Sequence, residues 1–271
     1  MSSDALTLYV RGIGLIGPGL NDWAGSRAAL IDPTLWVSSP TLLTPPQLLP
    51  PAARRRAGAI VKLSLGVADQ ACAGSVIDPQ TLATVFAASS GDPANCHALC
   101  EVLTTADRLV SPTRFTNSVH NAAAGYWHIA TRSRAPSTSL CGFDASFGAG
   151  LLEAAAQSVS ARRPVLLVAC DVPYLEPLHG TRPLPDAFGM ALLLDPIAPA
   201  LPVPRLSLSL AGRGAVTHCD HAGFEALRTV IPAARSLPLM QALARSQSGE
   251  VVVEYLNALP LRLQIDGAEQ A

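Results

Sequence analysis

The sequence predicts an α/β layered fold with a mostly parallel sheet and helices on both faces. Three observations carry this expectation. Residues 165–170 and 187–194 are nearly continuous apolar runs of strand length, as strands buried on both faces require. Residues 145–160 set Phe147, Leu151, Leu152, Ala155 and Val159 on one helical face. Strand-like and helix-like segments alternate along most of the chain, which is the pattern of a layered α/β protein.

Taken in order, residues 6–11 read as a strand that ends in the glycine-rich stretch Gly12-Ile13-Gly14-Leu15-Ile16-Gly17-Pro18-Gly19. Residues 21–30 form a short helix, 33–51 a Pro-rich loop, and 52–73 a longer helix with apolar residues at helical spacing. A strand over 82–88 enters the small-residue turn Ser89-Ser90-Gly91, and 94–107 is helical. Residues 111–118 read as an irregular loop, 122–131 as a helix and 137–140 as a short strand before the 145–160 helix. After the buried strands at 165–170 and 187–194 come a strand at 206–211, a helix at 238–244, and final strands at 251–255 and 261–265.

Composition narrows the function classes. The 271 residues suffice for a full core, yet only 14% are charged, 49% are hydrophobic, and mean hydropathy is +0.31. So poorly charged an exterior implies cover by a partner or a membrane. The longest apolar runs, 165–170 and 190–194, are too short to span a bilayer, and Met1-Ser2-Ser3-Asp4 starts no signal peptide. A protein partner in a cytoplasmic setting is the expectation. Net charge is −1, and the single basic run, Arg54-Arg55-Arg56, lacks the aromatic interleaving of a nucleic-acid surface. Six scattered cysteines without a scaffold rhythm read as reduced thiols.

Several motifs invite chemistry and do not sustain it. Gly12-Ile13-Gly14-Leu15-Ile16-Gly17 has the glycine spacing of a dinucleotide cradle. Pro18 and Gly19 stand where the phosphate-binding helix should run, so it reads as a glycine turn, with no cofactor. Cys96 and Cys100 share a helical face, and His218-Cys219-Asp220-His221 clusters four donors. Neither has the paired spacing of a zinc site, so no metal is expected. Ser89-Ser90-Gly91-Asp92 is not a nucleophile elbow. The informative segment is 135–150: a strand, a sharp turn, and a helix opening at Asp144. A nucleophile would gain from that helix N-terminus, but the occupant is Asp, a preferred N-cap.

Five segments in order resemble a β-ketoacyl synthase of the thiolase superfamily. They are Val10-Arg11-Gly12-Ile13-Gly14; Ser111-Pro112 through Asn121-Ala122-Ala123-Ala124-Gly125-Tyr126; Ala135-Pro136-Ser137 with its strand; the small-residue helix carrying Leu151-Leu152-Glu153-Ala154-Ala155-Ala156; and Arg182-Pro183 followed by Ala187-Phe188-Gly189-Met190. The resemblance covers residues 5–196. It implies a thiolase-like fold in a single 1–271 domain, with 1–196 matching the ketosynthase N-terminal half and 197–271 a shortened C-terminal cover.

Counted without gaps from Pro136, the ketosynthase nucleophile position falls on Asp144. Cys141 lies three residues early, within the strand by this reading, and no histidine motif of the ketosynthase C-terminal half follows residue 200. Condensation needs a thiolate, a histidine pair and oxyanion donors together, so the resemblance implies an inactive subunit with no catalytic residue of its own. Such subunits resemble chain-length factors, which pair with an active ketosynthase in acyl-carrier-protein-dependent polyketide or fatty-acid-type pathways; half-length examples resemble components of aryl polyene pigment pathways. Phe115, Val119, His120 and Trp127 are then the candidates for the tunnel and the interface. The alternatives are an acyltransferase or thioesterase using Cys141 or Asp144, and a non-catalytic scaffold protein.

Overall fold

The computed structural model of the protein describes residues 5–210 and 214–267. Eight strands, β1 (Leu6–Ile16), β2 (Ala83–Ala87), β3 (Ser137–Leu140), β4 (Val165–Asp171), β5 (Phe188–Asp195), β6 (Arg205–Leu210), β7 (Gly249–Leu256) and β8 (Leu259–Asp266), form one sheet in the order β3-β2-β4-β5-β1-β6-β8-β7. The helices among the described residues are α1 (Trp23–Ile31), α2 (Pro51–Arg56), α3 (Ala59–Cys72), α4 (Pro93–Thr104), α5 (Pro112–Thr116), α6 (Ala122–Thr131), α7 (Ser146–Ala161), α8 (Leu178–Thr181), α9 (Ala222–Val230) and α10 (Leu237–Arg245).

The sheet divides two apolar layers. Successive side chains of a strand point to opposite faces, so in β4 Leu167 and Ala169 join Phe147, Leu151, Phe224 and Met240 under α7, α9 and α10. Leu166 and Val168 face the other way and pack with Leu63, Val67 and Trp127 of α3 and α6. Helices thus cover both faces, as expected.

The expectation of a mostly parallel sheet is corrected. Only β2 with β3 and β2 with β4 run parallel, and the other five pairings are antiparallel. A parallel step needs a crossover of a dozen or more residues, usually a helix. The four-residue α8 between β4 and β5 makes no such crossover. The strand expected to stop at Arg11 runs on to Ile16, so the glycine stretch lies inside β1 for most of its length. A Cβ on Gly12 would stand 1.9 Å from the Ala71 carbonyl oxygen, and one on Gly14 equally close to that of Val67. Two glycines on one face of β1 therefore let one turn of α3 rest its backbone directly on the strand.

Smaller departures follow local chemistry. The 52–73 helix breaks at Ala57-Gly58 into α2 and α3, with three arginines in the last turn of α2 where cations suit the helix dipole. The 111–118 loop contains α5, started by Pro112 at its first position. The strand expected over 206–211 is β6, and Ala211 lies outside the described residues. Helix α9, which buries Phe224, Leu227 and Arg228, was not anticipated. Among the described residues no helix is long and apolar enough to cross a membrane.

Candidate functional site

Strand β3 ends at Leu140, and the chain reaches α7 through Cys141, Gly142 and a 3-10 turn over Phe143–Ala145. Phe143 sits at φ 53, a left-handed conformation that costs a bulky residue on the order of 1–3 kcal/mol. Two contacts hold the elbow closed. The Arg182 guanidinium lies 4.0 Å from the centre of the Phe143 ring. Ser146 Oγ accepts from the Gly142 N–H at 3.0 Å and donates to the Phe143 carbonyl at 2.7 Å.

Asp144 occupies the middle of this turn but does not cap α7. The N-cap is Ala145, with no side-chain cap hydrogen bond. The capping expectation is therefore corrected: the carboxylate turns instead toward Arg182 Nη2 at 2.5 Å and Arg235 Nη2 at 3.4 Å. The pairing extends in a chain of alternating charge. Arg235 stands 4.0 Å from Glu254, which pairs with the almost fully buried Arg228 at 2.5 Å; Arg228 also holds Glu225 at 2.7 Å, and Glu225 meets His218 Nδ1 at 2.8 Å. The hydrogen bond from Arg228 pushes the Glu225 carboxyl down to about 2. A carboxylate clamped by two guanidiniums is a weak nucleophile, and no histidine touches Asp144 through a hydrogen bond among the described residues.

Cys141 also departs from expectation. It lies just past the strand, exposed on the turn, and its Sγ donates to the Ser89 carbonyl at 3.2 Å. Ser89 belongs to a buried knot that sequence reasoning missed. Asp171, at the end of β4, accepts from Ser89 N–H at 2.8 Å, Ser89 Oγ at 2.6 Å and Ala233 N–H at 2.8 Å. Burial pushes its carboxyl up to about 6 against the pull of these donors. The knot ties the ends of β2 and β4 to the 3-10 turn Pro232–Ser236, which carries Arg235 to the elbow.

The four candidates over 115–127 do not share one environment. Trp127 is buried in the chain's own core beneath α3, and so presents nothing at the surface. Phe115 (68% exposed) and Val119 (50%) stand outside, and Val119 and His120 line a narrow recess with Ile60, Phe86 and Cys170. Around them the surface is uncovered. Helix α4 buries only Pro93 and Asn95, and Leu103 near its end and Leu109 in the loop after it are exposed, as are Phe115 and Val119. β3 forms one edge of the sheet with no strand on its outer side among the described residues. The opposite edge differs, since Thr217 shields β7 by hydrogen bonds of 2.8 and 2.9 Å with Val252.

This strand order, elbow and layering define a thiolase-like, ketosynthase-type fold. The chain superposes on one chain of the complex of a ketosynthase with its chain length factor from Xenorhabdus doucetiae (TM-score 0.73, 21% identity, 95% of this chain and 99% of that one). It is similar also to the ishigamide ketosynthase/chain length factor (0.68, 15%, 96% and 99%) and to a beta-ketoacyl synthase from Burkholderia phymatum STM815 (0.65, 10%, 96% and 99%). No curated protein sequence matches it. The family model described as beta-ketoacyl synthase, N-terminal domain, matches residues 29–251, and the chain belongs to that family.

Proposed function

We propose that this chain is a catalytically silent β-ketoacyl synthase-like subunit that pairs with an active ketosynthase and acts as its chain-length factor. The pathway class is acyl-carrier-protein-dependent and polyketide-like, of the aryl polyene pigment type, in the cytoplasm. The observation that carries the reading is the elbow: Asp144, on which the ketosynthase nucleophile position falls when counted without gaps from Pro136, is bound to Arg182 and Arg235. A site that must form a thiolate beside a histidine pair has here become an ion-paired junction. The similarity to ketosynthases solved with their chain length factors supports the same reading.

Pairing is supported by the uncovered face. An edge strand with free backbone groups invites another strand, and Leu103, Leu109, Phe115 and Val119 are large apolar side chains left exposed. A stable interface there buries more than roughly 1,000 Å² in total. Within it, Phe115, Val119 and His120 are the side chains available to close the far end of the partner's acyl tunnel, while Trp127 supports them from the core.

The experiment is to purify the cognate ketosynthase with and without this chain and assay condensation with its acyl carrier protein. Condensation is expected only from the pair, and it survives Asp144→Ala in this chain. Condensation by this chain alone, or its loss on Asp144→Ala in a pair that still assembles, overturns the proposal.

A further inference from the structure

Beside β3 lies a polar cleft of about 480 Å³ that the elbow does not use. One wall is the face of α6 and its approach that carries His120, Asn121, Ala124, Gly125 and His128, at helical spacing; the other is the pair Ser137 and Ser139, which share one face of the strand. His128 lines this cleft, and its Nε2 atom is buried with no hydrogen-bond partner among the described residues. Buried polar groups of folded proteins are almost always bonded, so an orphaned ring nitrogen at an uncovered sheet edge points to a group from outside. Thr84 Oγ1 donates to Ser137 Oγ at 2.8 Å, which leaves the Ser137 proton free to donate onward. The Gly125 position has open space around it, so the cleft has room for a side chain. Imidazoles, an amide and hydroxyls line it, and among the described residues no carboxylate does.

From this juxtaposition we infer that the cleft is a socket for an acidic side chain of the partner subunit, received by His128 and His120 with Ser137 as a further donor. The inference rests on the proposed pairing across β3. It explains how a short four-residue edge could select its partner: an imidazole–carboxylate contact fixes register where backbone pairing alone is permissive.

The test measures the dissociation constant of the pair formed with the cognate ketosynthase, for wild type and three variants, with thermal melting of each free chain to verify folding. His128→Gln, which keeps an N–H donor, is expected to weaken pairing a few-fold. His128→Ala weakens it roughly thirtyfold, as leaving a buried hydrogen-bonding group unpaired does, and His128→Asp weakens it further by repulsion of the partner's carboxylate. Folded variants that pair as tightly as wild type, or an Asp variant that pairs more tightly than Ala, overturn the socket while leaving the subunit proposal standing. Failure of the wild-type chain to pair at all removes both.

Discussion

Replacing Gly14 with alanine tests why β1 carries its glycines. The added Cβ would stand 1.9 Å from the Val67 carbonyl oxygen, about 1.5 Å short of ordinary contact at 3.4 Å. The obstacle is helix backbone rather than the end of a flexible side chain, so α3 and the sheet must separate. Overpacking of this kind costs about 1–3 kcal/mol. A gap of 0.5–1 Å also forfeits a quarter to a half of each contact along the seam, and α3 lays Leu63, Val67 and Ala71 against the sheet with no exposure. Against this, alanine gains roughly 0.4–1 kcal/mol from a less free unfolded chain. The net expectation is a loss of about 2–4 kcal/mol, or roughly 5–12 °C in Tm for a chain of this size. Circular dichroism melting of the isolated protein reads it. Gly125→Ala is the control: nothing lies within 4 Å of its Cβ, and a helix interior prefers alanine, so it should melt at or slightly above wild type. A Gly14→Ala protein melting with the control would refute the close-approach account of β1.

Arg228→Ala should destabilise the protein by about 3–5 kcal/mol in urea titration, because it strands Glu225 and Glu254 without their shared cation. Glu225, held down to about 2, stabilises the fold above its ordinary carboxylate range, and that contribution is lost as pH falls from 4.5 toward 2. Glu225→Gln should flatten this part of the pH–stability curve. Asp171 has the opposite sign. Its carboxyl is raised to about 6, so its contribution is full below about pH 4 and fades as pH rises through 6. The advantage of wild type over Asp171→Asn should therefore shrink across that window. Asp144→Cys should leave the purified chain without condensing activity, since the thiol would gain neither a base nor a histidine pair; radiolabelled condensation product would contradict this.

Much of the fold was legible because its signals are local. The apolar runs of β4 and β5, the amphipathic face of α7, and the closing hairpin β7–β8 lie within a residue or two of their expected positions. What was not legible depends on approach between distant segments. Gly12 and Gly14 read as a turn because nothing in the sequence reports the carbonyls of Ala71 and Val67 above them. Strand direction was readable in principle, as no helical pattern long enough for a crossover separates residues 171 and 187. At the elbow, the sequence located the turn and its Asp but not the ligands. Arg182 lies 38 residues further on and Arg235 beyond it, in a turn tied to the end of β4 through Asp171. Trp127 shows the limit of residue type: a ring at helical spacing suits a core as well as a tunnel stop, and burial decides for the core.

In the proposed role, the chain limits product length by the side chains it presents at an uncovered face. The most direct measurement reconstitutes the pair with its acyl carrier protein and reads product length by mass spectrometry for Phe115→Ala, Val119→Ala and His120→Ala. Truncating a packing residue destabilises the complex and lowers all products together. Truncating a tunnel stop opens space in which each further methylene gains roughly 0.8 kcal/mol of burial. Longer products with activity retained are expected in at least one of the three variants. An unchanged length distribution in all three, with condensation intact, would contradict it.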